Sequence, residues 1–79
     1  MTTEELKENP FTIYQCKPKR NCVLSINDTM SMRLTATQKW TVIYTYNHRN
    51  GRDFSVERNN LGLTLYMTES EFNENFEFR

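Results

Sequence analysis

Alanine and glycine are nearly missing from this chain of 79 residues. Ala36 is the sole alanine, so a helical bundle would lack its best helix former. Gly51 and Gly62 are the only glycines, which leaves no glycine-rich loop to cradle a phosphate and no support for a Walker-type nucleotide site. Histidine occurs once, as His48, and any Ser-His-Asp or Cys-His nucleophile would have to use it. It falls at the tip of an expected hairpin loop, where nothing would exclude water. No stretch approaches the roughly 20 apolar residues that span a bilayer. The start, Met1-Thr2-Thr3-Glu4-Glu5, is acidic and polar where a signal peptide is basic and then apolar. The expectation is a protein that stays where it is made, in the cytoplasm, with no membrane partner.

Cysteine is also scarce. Cys16 and Cys22 stand alone, and without an export signal they read as reduced, buried thiols rather than a disulfide. A zinc site using both with His48 would need a fourth ligand, and no CxxC or HxxxH spacing provides one. No metal or other cofactor is therefore expected. The paired carboxylates Glu69/Glu71 and Glu74/Glu77 read as the solvated face of a helical turn, because acid–base work needs carboxyls in contrasting pocket environments. A chain this short folds as one domain with a modest core and little room for a deep cleft.

Aromatic and β-branched residues are plentiful, and they fit a pleated sheet. Residues 1–10 read as a tail or short turn closed by Pro10, and residues 11–79 as a single domain. Phe11 to Cys16 alternates as a strand does, Lys17 to Asn21 is a basic loop, and Cys22 to Ile26 is a second strand. After a turn at Asn27-Asp28-Thr29, Met30, Met32 and Leu34 point to one side. Trp40, Val42, Tyr44 and Tyr46 share one face of the clearest strand, with Thr41, Ile43 and Thr45 on the other. Asn50-Gly51 favours positive φ at adjacent positions and signals a hairpin. Phe54 and Val56 follow, then a turn at Asn59-Asn60, then Leu61, Leu63, Leu65 and Met67 in alternation. Thr68-Glu69-Ser70-Glu71 fits a capping box, and Phe72 and Phe76 would stack on one face of the helix it opens. The expected fold is mainly β: a small barrel of about five antiparallel strands with a C-terminal helical turn over residues 68–76.

Two segments carry a resemblance to a known family. Leu34-Thr35-Ala36-Thr37-Gln38-Lys39-Trp40 places Leu-Thr ahead of a Lys and an aromatic that opens a strand, with Thr37-Gln38 where Gly-Lys is usual. Asn60, Gly62 and Phe72 supply a hairpin turn and a Phe ten residues beyond its Gly. In outline, residues 11–76 resemble small SH3-like barrels encoded by bacteriophages. The resemblance implies a viral accessory protein that works in a host cytoplasm.

Charge is balanced overall but divided along the chain. Residues 17–58 hold eight basic and three acidic groups, while both flanks are acidic. A neutral total can thus hide a basic face and an acidic face. Two surfaces are candidates. Lys17, Lys19, Arg20, Arg49 and Arg52 would form basic loops able to hold RNA or single-stranded DNA. Trp40, Tyr44 and Tyr46 fall on the inner face and read as core rather than as base-stacking platforms. Tyr14, Ile43 and Tyr66 would lie opposite the buried faces and make an apolar, Tyr-bearing protein interface. The function expected is a non-enzymatic binding module that inhibits or redirects a host protein, such as a defence or nucleic-acid enzyme. The alternatives are RNA or single-stranded DNA binding, for example against a host ribonuclease, and self-assembly into a homo-oligomer through an open strand edge at residues 11–16.

Overall fold

A period-two pattern buries every second side chain of the central strands, and that burial organises the molecule. The computed structural model describes residues 1–46, 49–58 and 60–79. In chain order they form α1 (Thr3–Glu8), β1 (Tyr14–Pro18), β2 (Cys22–Ser25), β3 (Ser31–Leu34), β4 (Trp40–Tyr44), β5 (Phe54–Arg58), β6 (Leu63–Met67), α2 (Glu69–Asn75) and β7 (Phe76–Phe78). Five strands make one antiparallel sheet in the order β6-β5-β4-β1-β7, and β2 pairs with β3 as a separate hairpin. The fold is thus mainly β, as the alternation implies. Among the described residues the ring of strands is not closed, since β6 and β7 form the two edges of the sheet.

Register shows which residues share a face, because directly opposed residues of neighbouring strands point the same way. Tyr14 lies opposite Val42, Val42 opposite Val56, and Val56 opposite Leu65. Tyr44, Phe54 and Met67 form the next inner row. These residues join Leu6, Cys16, Leu34, Trp40, Phe72 and Phe76 in one core, with Tyr14, Leu24, Ile26 and Met32 packed at its margin. Phe54, Phe72 and Phe76 stack in series, and Trp40 meets Phe76 edge-on at 5.3 Å between ring centroids.

The capping box forms as read: the Thr68 hydroxyl accepts from the Glu71 amide, and the Glu71 carboxylate accepts from the Thr68 amide. Phe76 stacks on Phe72, but as the first residue of β7 rather than within the helix, because Phe76 is already extended. That added strand pairs with the end of β1. Residues 1–10, read as a tail or turn, hold a six-residue helix with Leu6 fully buried. Thr3 and Leu6 share its buried face. Thr3 donates to Glu69 at 2.5 Å and Lys7 pairs with Glu69 at 2.6 Å, which ties α1 to the start of α2. β7 pairs with β1 at Cys16–Pro18, and the Arg79 amide donates to the Gln15 carbonyl at 3.1 Å, so the edge expected at residues 11–16 is covered only at its C-terminal end. Among the described residues no helix is long and apolar enough to cross a membrane.

Candidate functional site

The basic residues proposed from sequence to act together lie at opposite ends of the sheet. β1 runs antiparallel to β4, so the end of β1 meets the start of β4, and the β4–β5 connection lies at the far end. Lys17, Lys19 and Arg20 belong to the first end; Arg49 and Arg52 belong to the second. The register sets Lys17 level with Lys39, and the six residues from there to Thr45 span about 20 Å of strand. The five therefore fall into two clusters at the two ends of the sheet rather than one. Two of the five also serve the fold. Lys17 pairs with Glu77 at 3.6 Å, and Arg20 Nη1 donates to the Glu74 carbonyl at 3.3 Å. Lys19, Arg49 and Arg52 are exposed.

The apolar trio divides as well. Ile43 and Tyr66 stand on the outer face of the sheet, separated across the strands by Ser55. Tyr14 does not join them: opposed to Val42, it faces the core. Its place on the outer face is taken by Ile13, which the register, continued by one residue, sets against Ile43.

At the end of the sheet where β1 begins and β4 ends, two bulky residues adopt a backbone conformation that bulky residues avoid. Phe11 has φ 63° and Tyr46 has φ 58°. Their rings meet edge-on at 6.0 Å, and both remain exposed, Phe11 at 65% and Tyr46 at 46%. The Phe11 amide donates to the Tyr44 carbonyl at 3.0 Å, which holds the approach to β1 against β4. Tyr46 meets Tyr44 at 4.8 Å, and Tyr44 meets Phe54 at 5.4 Å. A continuous series of ring contacts thus runs from the surface pair into the core. On the outer face Ile13, at 66% exposed, lies level with the half-buried Ile43, and Tyr66, at 53%, stands across Ser55 from it. Phe11, Ile13 and Tyr46 are the residues that the sequence pattern missed. Each falls in phase with an expected strand, and only the left-handed backbone at Phe11 and Tyr46 takes them out of the ladder.

Catalytic and metal chemistry find few groups to work with. His48 lies outside the described residues, as does Asn47 beside it. Cys16 is buried and Cys22 half-buried, both as free thiols. Burial pushes the Cys16 thiol up to about 12, so it stays protonated and unreactive near neutrality. Among the described residues no group of three His, Cys, Asp or Glu comes together that could hold a metal ion. Glu69 is engaged in holding the two helices together. The hydrogen bond from Lys7, then that from Thr3, keeps its carboxyl below the usual range. No protein-family model, curated protein or solved structure matches the chain.

Proposed function

We propose that this chain is a non-enzymatic module that binds another protein through the patch begun by Phe11 and Tyr46 and continued by Ile13, Ile43 and Tyr66. One observation carries the reading. Two aromatic residues are held in the left-handed region with their rings outward, although the strain costs about 1–2 kcal/mol each. A fold that retained these residues only for packing would bury the rings or place glycine or asparagine there. Tyrosine and phenylalanine are enriched at protein interfaces, and binding energy concentrates in a few such anchors. The ring series into the core holds the anchors in one arrangement before a partner arrives, which lowers the ordering cost of binding. The resemblance to phage-encoded barrels makes a host protein the partner of choice.

The reading is tested by affinity capture with wild-type protein and the variants Phe11→Gly and Tyr66→Ala, each first shown to be folded. A saturable partner retained by wild type and lost from both variants is the expected result. Identical capture by all three proteins would contradict it.

A further inference from the structure

A second surface lies at the other end of the sheet, built from residues that the aromatic patch does not use. Thr35, Thr37, Gln38, Lys39, Arg58 and Asn60 line a depression of about 500 Å³. Its two charged residues are both basic. Among the described residues neither Lys39 nor Arg58 has a carboxylate partner, and Arg58 is half-buried. Two cationic side chains without a carboxylate partner line one depression, and an incoming anion would pair with both. The register brings these residues together. Continuing the ladder one residue beyond Thr41 and Glu57 sets Arg58 beside Trp40, next to Lys39.

The turn that carries Lys39 is braced from four directions. The Gln38 amide donates to the Thr35 carbonyl at 3.1 Å, and the Gln38 side chain donates to the Arg33 carbonyl at 3.2 Å. Trp40 Nε1 donates to Gln38 Oε1 at 3.0 Å, and the Ala36 amide donates to Asn21 Oδ1 at 3.0 Å. Lys39 is therefore presented on a fixed support. It also lines a smaller neighbouring depression of about 160 Å³ with Gln15, Thr41 and Arg79. Lys39 thus lines both depressions, with Arg58 of β5 in one and Arg79, just past β7, in the other, at the two sides of β4 and β1. At about 4.8 Å between strands this is a track roughly 14 Å long. Glu57 stands opposite Thr41 in the row that Arg79 continues.

We infer that this track binds the phosphodiester backbone of a nucleic-acid strand. A single small oxyanion would occupy one depression, whereas a chain of phosphates suits two depressions that share a lysine. The hydroxyls of Thr35 and Thr37 and the amide of Asn60 add donors for phosphate oxygens. Trp40 is only 1% exposed and Phe76 is buried, so neither ring is offered for base stacking. Recognition is therefore of the backbone and independent of sequence.

The test is fluorescence anisotropy of short labelled oligo(A) and oligo(U) RNA over a salt titration. Both should bind at low salt with similar affinity, and log K should fall against log salt with a slope of about −2, from roughly three phosphate contacts at about −0.7 each. Lys39→Glu/Arg58→Glu, checked for an unchanged Trp40 emission spectrum, should bind ~10-fold or more weakly with a slope shallower by about 1.4. Arg49→Glu/Arg52→Glu, at the opposite end, should stay within ~3-fold of wild type. Because charge reversal can disturb the turn, the milder Lys39→Gln/Arg58→Gln pair should give an intermediate loss. Absence of binding at low salt, or an equal loss from the Arg49/Arg52 pair, would overturn the inference. So would inorganic phosphate shifting the Thr37 and Lys39 amide resonances when no oligonucleotide binds, which would reduce the track to a small-anion pocket.

Discussion

Phe11 and Tyr46 each give up backbone comfort to keep an aromatic ring at the surface, and the two can be separated from the fold by substitution. The Phe11 ring rests on that of Tyr46, so Phe11→Gly removes a contact of about 0.5–1.5 kcal/mol and relieves left-handed strain of about 1–2 kcal/mol. Urea denaturation should show an unfolding free energy within about 1 kcal/mol of wild type, an unusually small change for loss of a phenylalanine. A loss of about 3 kcal/mol or more, the scale of a core Phe→Ala change, would mean that Phe11 is a packing residue. Neither residue's conformation was legible in the sequence. Phe11 and Tyr46 continue alternations that look like strand, and the patterns Phe11/Ile13 and Tyr14/Cys16 are equally apolar. Burial of Cys16 and Pro18 decides the phase, which turns Tyr14 inward and Ile13 outward. The chemistry of Tyr66 and Ile43 was easier to read, because their strands have one plainly apolar face.

Helix α1 shows how an element of weak local preference is held by what it touches. Six residues make a marginal helix in water, but Leu6 reaches the core and Glu69 receives both Thr3 and Lys7. Leu6→Ala should cost about 2–4 kcal/mol by urea denaturation, as expected for a fully buried leucine. The Lys7 hydrogen bond lowers the Glu69 carboxyl pKa, and the same bond raises that of Lys7 above 10.5. For Glu69 the stabilisation is present above the unfolded value near 4.5 and is lost as pH falls through the folded value. For Lys7 it is present below 10.5 and lost as pH rises through the folded value. Glu69→Gln should therefore be less stable than wild type near neutrality, and the gap should close in acid; a gap independent of pH would contradict this. Lys7 and Glu69 are both partly exposed, so the gap near neutrality should be only about 0.5–1 kcal/mol. The capping box of α2 was legible because its spacing is local; Thr68→Ala should cost about 1 kcal/mol. The docking of α1 was not legible, since Thr3 and Glu69 lie far apart in sequence.

At the scale of the molecule, alternation and turn chemistry revealed a small antiparallel β fold, while register escaped them. Asn50 and Gly51 do take positive φ, as the hairpin signal implies. Yet the connection they belong to runs from Tyr44 to Phe54, longer than the two-residue turn that Asn-Gly favours. That length shifts the β4–β5 pairing and sets Arg58 opposite Trp40, next to Lys39. The antiparallel run of β1 against β4 is what parts Arg49 and Arg52 from Lys17 and Lys19. Phe72 joins α2 to the sheet through its contacts with Phe54, Phe76 and Phe78. A domain of this size has about 4–12 kcal/mol of stability, and Phe72→Ala removes about 3–5 kcal/mol of it. The central claim is that the Phe11–Tyr46 patch exists for a protein partner. It is tested most directly by quantitative affinity capture with wild-type and Phe11→Gly proteins matched for stability. Saturable partners lost with the phenylalanine while the fold is kept is the result predicted. An unchanged set of partners on a folded variant would contradict the account.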